Sequence, residues 1–296
     1  MKQVCILVIA IVALSGSLSA QSAGSWEVIH DWGNLPDGVE WGPSSQLSAT
    51  PDGRIVVFRR EAPNFYVLDA DGNLLDSWGD DMFNLAHGIR VDADGFLWVT
   101  DNADNLVQKY TIEGELLMTL GEKGVAGDNA SHVAFDGPAD VFVNDNGDIY
   151  VADGYRNSRV IQLNSEGEFI RIYGGTMGDG PSEFDLAHAV VVDSQDRVIV
   201  ADSGNGRIQV FAQDGRLLEQ WYDFPSNPRG GMFIDDDDTL YVSHVDAEAV
   251  TIMRGGEVIE IVDGIEGRPH GVTVDADGDI YVANTGGRIV KKIIRQ

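Results

Sequence analysis

The chain has a single cysteine in 296 residues, Cys5, and it sits inside an apolar N-terminal stretch. Disulfide scaffolding and thiolate metal sites are therefore excluded for the rest of the chain. Basic residues are also scarce: 20 Lys and Arg stand against 48 Asp and Glu, a formal net charge of −28. Such a surface repels phosphate backbones and anionic lipid, so neither nucleic acid nor membrane is an expected partner. Long apolar runs are missing as well. The run Val4 to Leu14 is only 11 residues, too short for a bilayer, which takes about 20. Lys2 precedes it and small residues, Ser15 to Ala20, follow it. This is the pattern of a signal peptide over residues 1–20, with cleavage between 19 and 23. The expected product is a cysteine-free chain, 24–296, exported to a periplasm or the cell exterior as a single domain and acting as a monomer.

What the chain has in quantity is glycine, 35 residues, and repetition. One phrase recurs: an alternating apolar strand, an acidic Gly turn, and a second apolar strand. It reads Val91-Asp-Ala-Asp-Gly-Phe-Leu-Trp-Val-Thr-Asp101, and returns at Val143–Asp153, Val192–Asp202 and Val274–Asn284. Weaker copies lie at Thr50–Phe58 and Ile234–Ser243. Counting back from each copy to a common register gives Ser45, His87, Ala139, His188, Gly230 and His270, with spacings of 42, 52, 49, 42 and 40. Six units of this length predict an all-β, six-bladed β-propeller with four strands per blade. Second turns at Asp71-Gly72, Glu113-Gly114, Glu166-Gly167, Asp214-Gly215 and Gly255-Gly256 suit two-residue hairpins. No bidentate Glu follows at EF-hand distance, so these acidic turns are not read as calcium loops. After His270 only 26 residues remain, enough for three strands. The missing outer strand is expected from Gly24–Gly33, which resembles Gly72–Gly79 and would close the ring.

Equivalent registers on successive blades lie around the central axis. Histidines at every second blade, with Ser, Ala and Gly between, leave room for three imidazoles to converge. Three protein nitrogens with an open fourth position suit a catalytic Zn²⁺, with Fe, Mn or Co as alternatives. His30, His132 and His244 are read as structural or solvent-facing.

The units are similar to NHL repeats. The segment Phe135–Val141 through Asp153-Gly-Tyr-Arg-Asn-Ser-Arg159, continuing into Phe184–His188 and Ala201–Phe211, resembles the peptidyl-α-hydroxyglycine α-amidating lyases, also called peptidylamidoglycolate lyases. The resemblance runs over essentially all of 24–296. It implies that His87, His188 and His270 bind zinc, that Tyr155 is the base, and that Arg60 (with Arg59 as rival) assists it and holds substrate. The implied reaction cleaves the C–N bond of a peptidyl- or acyl-α-hydroxyglycine to an amide and glyoxylate. The chain departs from the family pattern at three places. Arg268 replaces a Met and is a candidate substrate-binding residue. Gly271 replaces a calcium-linked Asp, so calcium is not expected. Ser203 replaces an Arg. No stretch accommodates the copper monooxygenase that makes the hydroxyglycine in bifunctional relatives. Two other classes stay open: a non-catalytic propeller binding a peptide or glycan, and a different metal-dependent propeller enzyme such as a lactonase.

Overall fold

Each repeat phrase folds as two antiparallel strands whose connecting turn is capped by its own first polar residue. Asp92 Oδ1 accepts the amides of Asp94 at 3.1 Å and Phe96 at 2.9 Å. Asp193, Asp235 and Asp275 cap the same amides in their own turns. These carboxylates therefore satisfy backbone donors that would otherwise need water. The fourth residue of the turn, counting the cap as the first, needs positive φ: Gly95, Gly147 and Gly278 supply it at 86°, 89° and 84°. In the diverged copies Asp196 and Asp238 take that position at 59° and 58°, a conformation that Asp tolerates better than most residues. The divergence is thus in the residue, not in the turn.

The computed structural model describes residues 25–286 and 289–296. The expected signal peptide and its cleavage site lie outside the described residues. The described chain forms 24 strands in six four-stranded antiparallel sheets. In blade 1 the strands are Ser44–Ala49, Ile55–Arg59, Phe65–Leu68 and Leu74–Trp78, paired in that order. Blades 2 to 5 repeat this order. Their innermost strands are Ala86–Val91, Pro138–Val143, Ala187–Val192 and Met232–Ile234. Blade 6 takes three strands from the C-terminal part, beginning at Pro269–Val274, and its fourth from Trp26–Ile29. That strand pairs antiparallel with Lys291–Arg295, Trp26 opposite Arg295 and Ile29 opposite Lys292. The N-terminal closing strand is therefore where the sequence reading put it.

The second turns of four blades differ from expectation. Asp69 N donates to Asn73 O at 3.1 Å and Gly72 N to Asp69 O at 3.0 Å, and in that turn only Gly72 has positive φ. This is a three-residue loop ending in a bulge, not a two-residue hairpin. The same bonding recurs around Gly114, Gly167 and Gly215. Only Gly255-Gly256, with φ of 56° and 86° between paired Arg254 and Glu257, is the two-residue form. A residue with positive φ at both positions is required there, and Asp or Glu at the first position of the others does not adopt it.

The core lies between neighbouring blades. Val190, Val192, Val198 and Val200 of blade 4 pack on Tyr150, Val160 and Tyr173 of blade 3, while Val191 and Ile199 pack on Met232, Leu240 and Val242 of blade 5. Successive residues of one strand thus bury against opposite neighbours, at roughly 1.5–3 kcal/mol per large apolar side chain. Trp32, just after the closing strand, is buried against Tyr281 with ring centroids 5.0 Å apart.

Candidate metal centre

The residue that ends the second strand of a blade anchors the loop leading into the innermost strand. Asp101 accepts the amides of Asn84 at 2.7 Å and Leu85 at 3.0 Å, just before His87. Asp202 accepts Asp185 N at 2.9 Å, just before His188, and also receives Arg207 Nε at 2.8 Å and Asn205 Nδ2 at 2.9 Å. Asp153 accepts Asp136 N at 2.9 Å, Asn157 Nδ2 at 2.8 Å and Arg159 Nε at 2.9 Å. The Asp-x-x-x-Asn-x-Arg spacing of residues 153–159 is therefore a clamp on the upper loops. Desolvation raises the Asp153 carboxyl, with Arg159 acting against it.

On these anchored strands His87, His188 and His270 converge, all buried, with ligand atoms within 4.8 Å of one another. Their ring centroids lie 5.0–5.2 Å apart and their planes at 76–78°, close to threefold symmetry. Each Nδ1–H donates to a backbone carbonyl on the next blade: His87 to Ala139 at 2.7 Å, His188 to Gly230 at 3.2 Å, His270 to Ser45 at 2.7 Å. These acceptors are the intervening members of the register ring. The bonds fix one tautomer and leave each Nε2 lone pair for the axis. Burial is the largest cause pushing all three imidazoles down, His188 to about 4 and the other two well below 6.5. All three are neutral donors at neutral pH. The donor set fits a divalent metal that favours nitrogen.

Tyr155 reaches the same point. Its hydroxyl donates to His87 Nε2 at 2.9 Å and lies 3.3 Å from His188 Nε2. Two glycines permit this. A Cβ on Gly154 would meet Ala187 O at 2.1 Å, and one on Gly137 would meet Tyr155 Cβ at 2.7 Å. The turn carrying Tyr155 therefore lies flat on the strand carrying His188. Tyr155 is 42% exposed as a whole, but its hydroxyl lies against the buried rings of His87 and His188, and desolvation there pushes the phenol up, with Arg60 and then Arg229 pulling against it. In the metal-free chain desolvation outweighs both guanidinium groups, so the phenol stands above its ordinary value.

Arg60 lines the cavity with Tyr155, His188 and His270, and its guanidinium bonds Ser45 Oγ at 3.3 Å. Arg59 points away: it is buried, donating to the carbonyls of Trp41 and Pro63, each at 2.6 Å, and stacking over Tyr66 at 4.1 Å. Of the two rivals, the structure brings Arg60 to the site. Arg268 also lines the cavity and holds a positive φ of 65°. Two residues before His188, at the matching place, Leu186 has φ of 98° and lines the same cavity. Non-glycine residues in this region are strained, and such positions cluster at functional sites.

The other histidines stand apart. His244 is buried between Ser226 O and Thr251 Oγ1. His132 stacks on Phe169 at 3.7 Å, and His30 bonds Lys291 at 2.7 Å. The sequence reading missed Arg229, which immediately precedes Gly230, and the carbonyl role of Ser45, Ala139 and Gly230. The first could have been found by examining neighbours of each register position. The second is a backbone property that residue identity does not display.

Fold and site together define an NHL-repeat β-propeller with three histidines on its axis. NHL repeat models match residues 83–110, 135–163, 184–211 and 267–287. The human protein "NHL repeat-containing protein 3" is 32% identical over 256 residues, covering 78% of this chain and 73% of that protein. A "Probable peptidyl-alpha-hydroxyglycine alpha-amidating lyase" of Caenorhabditis elegans is 30% identical over 233 residues, covering 73% and 66%. A solved streptogramin B lyase superposes with a TM-score of 0.63 at 14% identity, covering 92% of this chain and 98% of that one, which speaks to the fold alone. The chain belongs to the NHL-repeat propeller family that includes the peptidyl-α-hydroxyglycine α-amidating lyases.

Proposed function

We propose that this protein is an exported zinc lyase that cleaves the C–N bond of peptidyl- or acyl-α-hydroxyglycine to an amide and glyoxylate. One observation carries the reading: the Tyr155 hydroxyl is seated against the free Nε2 atoms of His87 and His188. A proton acceptor and a three-nitrogen donor set thus address the same small volume. The names of the relatives supply the reaction class.

His87, His188 and His270 would hold the ion, and zinc is the default for such a set. When bound, it would supply positive charge that lowers the pKa of the substrate hydroxyl and of Tyr155. Tyr155 takes the hydroxyl proton as general base. The hydroxyl carbon becomes the aldehyde carbon of glyoxylate while its bond to nitrogen breaks. The proton then passes to the departing nitrogen, so the amide leaves neutral and Tyr155 is restored. Arg60 stabilises the phenolate, and Arg60 with Arg268 holds the α-carboxylate. The cavity they line is about 160 Å³, the share of about five waters at ~30 Å³ each. That volume takes the hydroxyglycine end and leaves the acyl chain at the mouth.

The zinc-loaded protein is incubated with an N-acyl-α-hydroxyglycine and glyoxylate is measured. Stoichiometric glyoxylate and amide support the lyase; their absence from a metal-replete sample rejects it, and lactone hydrolysis by that sample favours the lactonase class. A protein with no affinity for Zn²⁺ points to the peptide- or glycan-binding class. Export is tested by sequencing the N-terminus of the natural protein, expected between residues 20 and 24.

A further inference from the structure

The lyase reading needs two anions inside the cavity, the Tyr155 phenolate and the substrate's α-carboxylate. Among the described residues the cavity offers three cations: Arg60, Arg229 and Arg268 line it, with Asp246 the one acidic residue. In a chain of 48 acidic residues this is a local reversal of sign. Most described Lys and Arg side chains are already engaged, as Arg159 is with Asp153 and Arg207 with Asp202. Among the described residues, Arg229 and Arg268 are the two basic side chains that make neither a hydrogen bond nor an ion pair. Both are exposed, and both open onto the cavity that contains Tyr155.

The three are not equivalent. Arg60 and Arg268 come from adjoining blades, 1 and 6, and each bears on His270. The stem of Arg268 is held where Gly286 gives it space: a Cβ there would meet Arg268 Cδ at 3.0 Å. Arg229 comes from blade 5, on the side of Tyr155 and His188. It lies between Pro228 and Gly230, both buried, and Gly230 N donates to the carbonyl of Ser243 at 3.1 Å on the strand Thr239–His244. Three guanidinium groups face two anions. Arg60 bears most on the phenolate and holds the α-carboxylate with Arg268; Arg229 bears on Tyr155 less than Arg60 does, so its charge is the surplus one for a substrate with a neutral acyl group.

We infer that the natural substrate carries a second carboxylate on its acyl side, and that Arg229 is the specificity-determining residue that receives it. The substrate class is then an α-hydroxyglycine acylated by a dicarboxylic acid or by an acidic residue. This rests on the lyase reading. A guanidinium receiving a carboxylate at a partly exposed rim gives charge-assisted bonds that salt weakens.

The experiment compares kcat/KM for glyoxylate release from N-succinyl-α-hydroxyglycine and from its terminal-amide isostere, N-succinamoyl-α-hydroxyglycine. The full zinc-loaded chain is used at low salt. The succinyl compound is expected to be preferred by about tenfold, the ratio shrinking several-fold in 0.5 M salt. In Arg229→Gln the ratio should fall to near one, read as a ratio within the same preparation. Equal kcat/KM for the two compounds in the unaltered protein overturns the inference and leaves the lyase standing. Release of glyoxylate from neither overturns both. A preference that persists unchanged in Arg229→Gln overturns the assignment to Arg229.

Discussion

His188 donates through Nδ1 to the carbonyl of Gly230 at 3.2 Å, and Gly230 is the residue at its own register one blade further on. His87 with Ala139 and His270 with Ser45 repeat the relationship. The alternation of histidine with small residues around the ring is therefore a division of labour. Three blades present imidazoles, and the three between them present the acceptors that hold those imidazoles in one tautomer. Small side chains at 45, 139 and 230 allow the carbonyls to approach.

His188→Ala should remove one of three donors while leaving both neighbours in place. Bound metal, measured by mass spectrometry after dialysis against low zinc, should drop from about one per chain to near zero. The rise in melting temperature on adding zinc should disappear with it. A variant that still binds one equivalent tightly would show that the ion is held elsewhere.

Tyr155→Phe keeps the ring and deletes the proton acceptor. Turnover is expected to fall by about 10²–10⁴, the range for a lost general base, with zinc content unaltered. If glyoxylate release continues at the original rate, Tyr155 has no part in proton transfer.

Acid should weaken the metal-free protein through its buried imidazoles. His188 and His244 are held near 4 by burial, and His87 and His270 well below their ordinary value. In the unfolded chain these groups titrate near 6.5. Between the two values the unfolded chain binds more protons, so stability is fully present above about 6.5 and is lost as pH falls towards 4. The urea midpoint of the chelator-treated protein is expected to be lower at pH 5 than at pH 7. A flat or rising midpoint across that window would falsify the neutral, buried state of the four rings.

The closing strand carries a prediction of its own. Removing residues 24–33 strips Trp26–Ile29 from Lys291–Arg295 and takes Trp32 out of its packing against Tyr281. An unpaired edge and an opened ring remain. The truncated chain should aggregate or melt at least about 10 °C lower. Unchanged melting would mean that five blades and three strands suffice.

The fold was legible because each blade writes the same phrase, and because the phrase's polar residues have backbone duties. Asp92 and its counterparts mark turns, and Asp101, Asp153 and Asp202 mark the loops that lead to the ring. Even the weak copies at Thr50 and Ile234 form blades, since the packing of two neighbours supplies what their own sequence lacks. The site was half legible. Residues that repeat at one register, such as His87, His188 and His270, are visible to alignment. Arg229 and Leu186 lie off the register by one and two positions, and their access to the cavity depends on loop shape. The phenol of Tyr155 shows a further limit: sequence names its neighbours but not the desolvation that outweighs them.

The acceptors behind the three imidazoles are main-chain atoms, and this has a consequence for how the protein can vary. A side-chain acceptor can be erased by one nucleotide change; a carbonyl at 45, 139 or 230 cannot. Substitution at those three places can crowd the ring but cannot delete its support, so the centre can persist while the surrounding arginines are rearranged. New specificities can then be tried around a fixed set of donors without the donors being rebuilt each time.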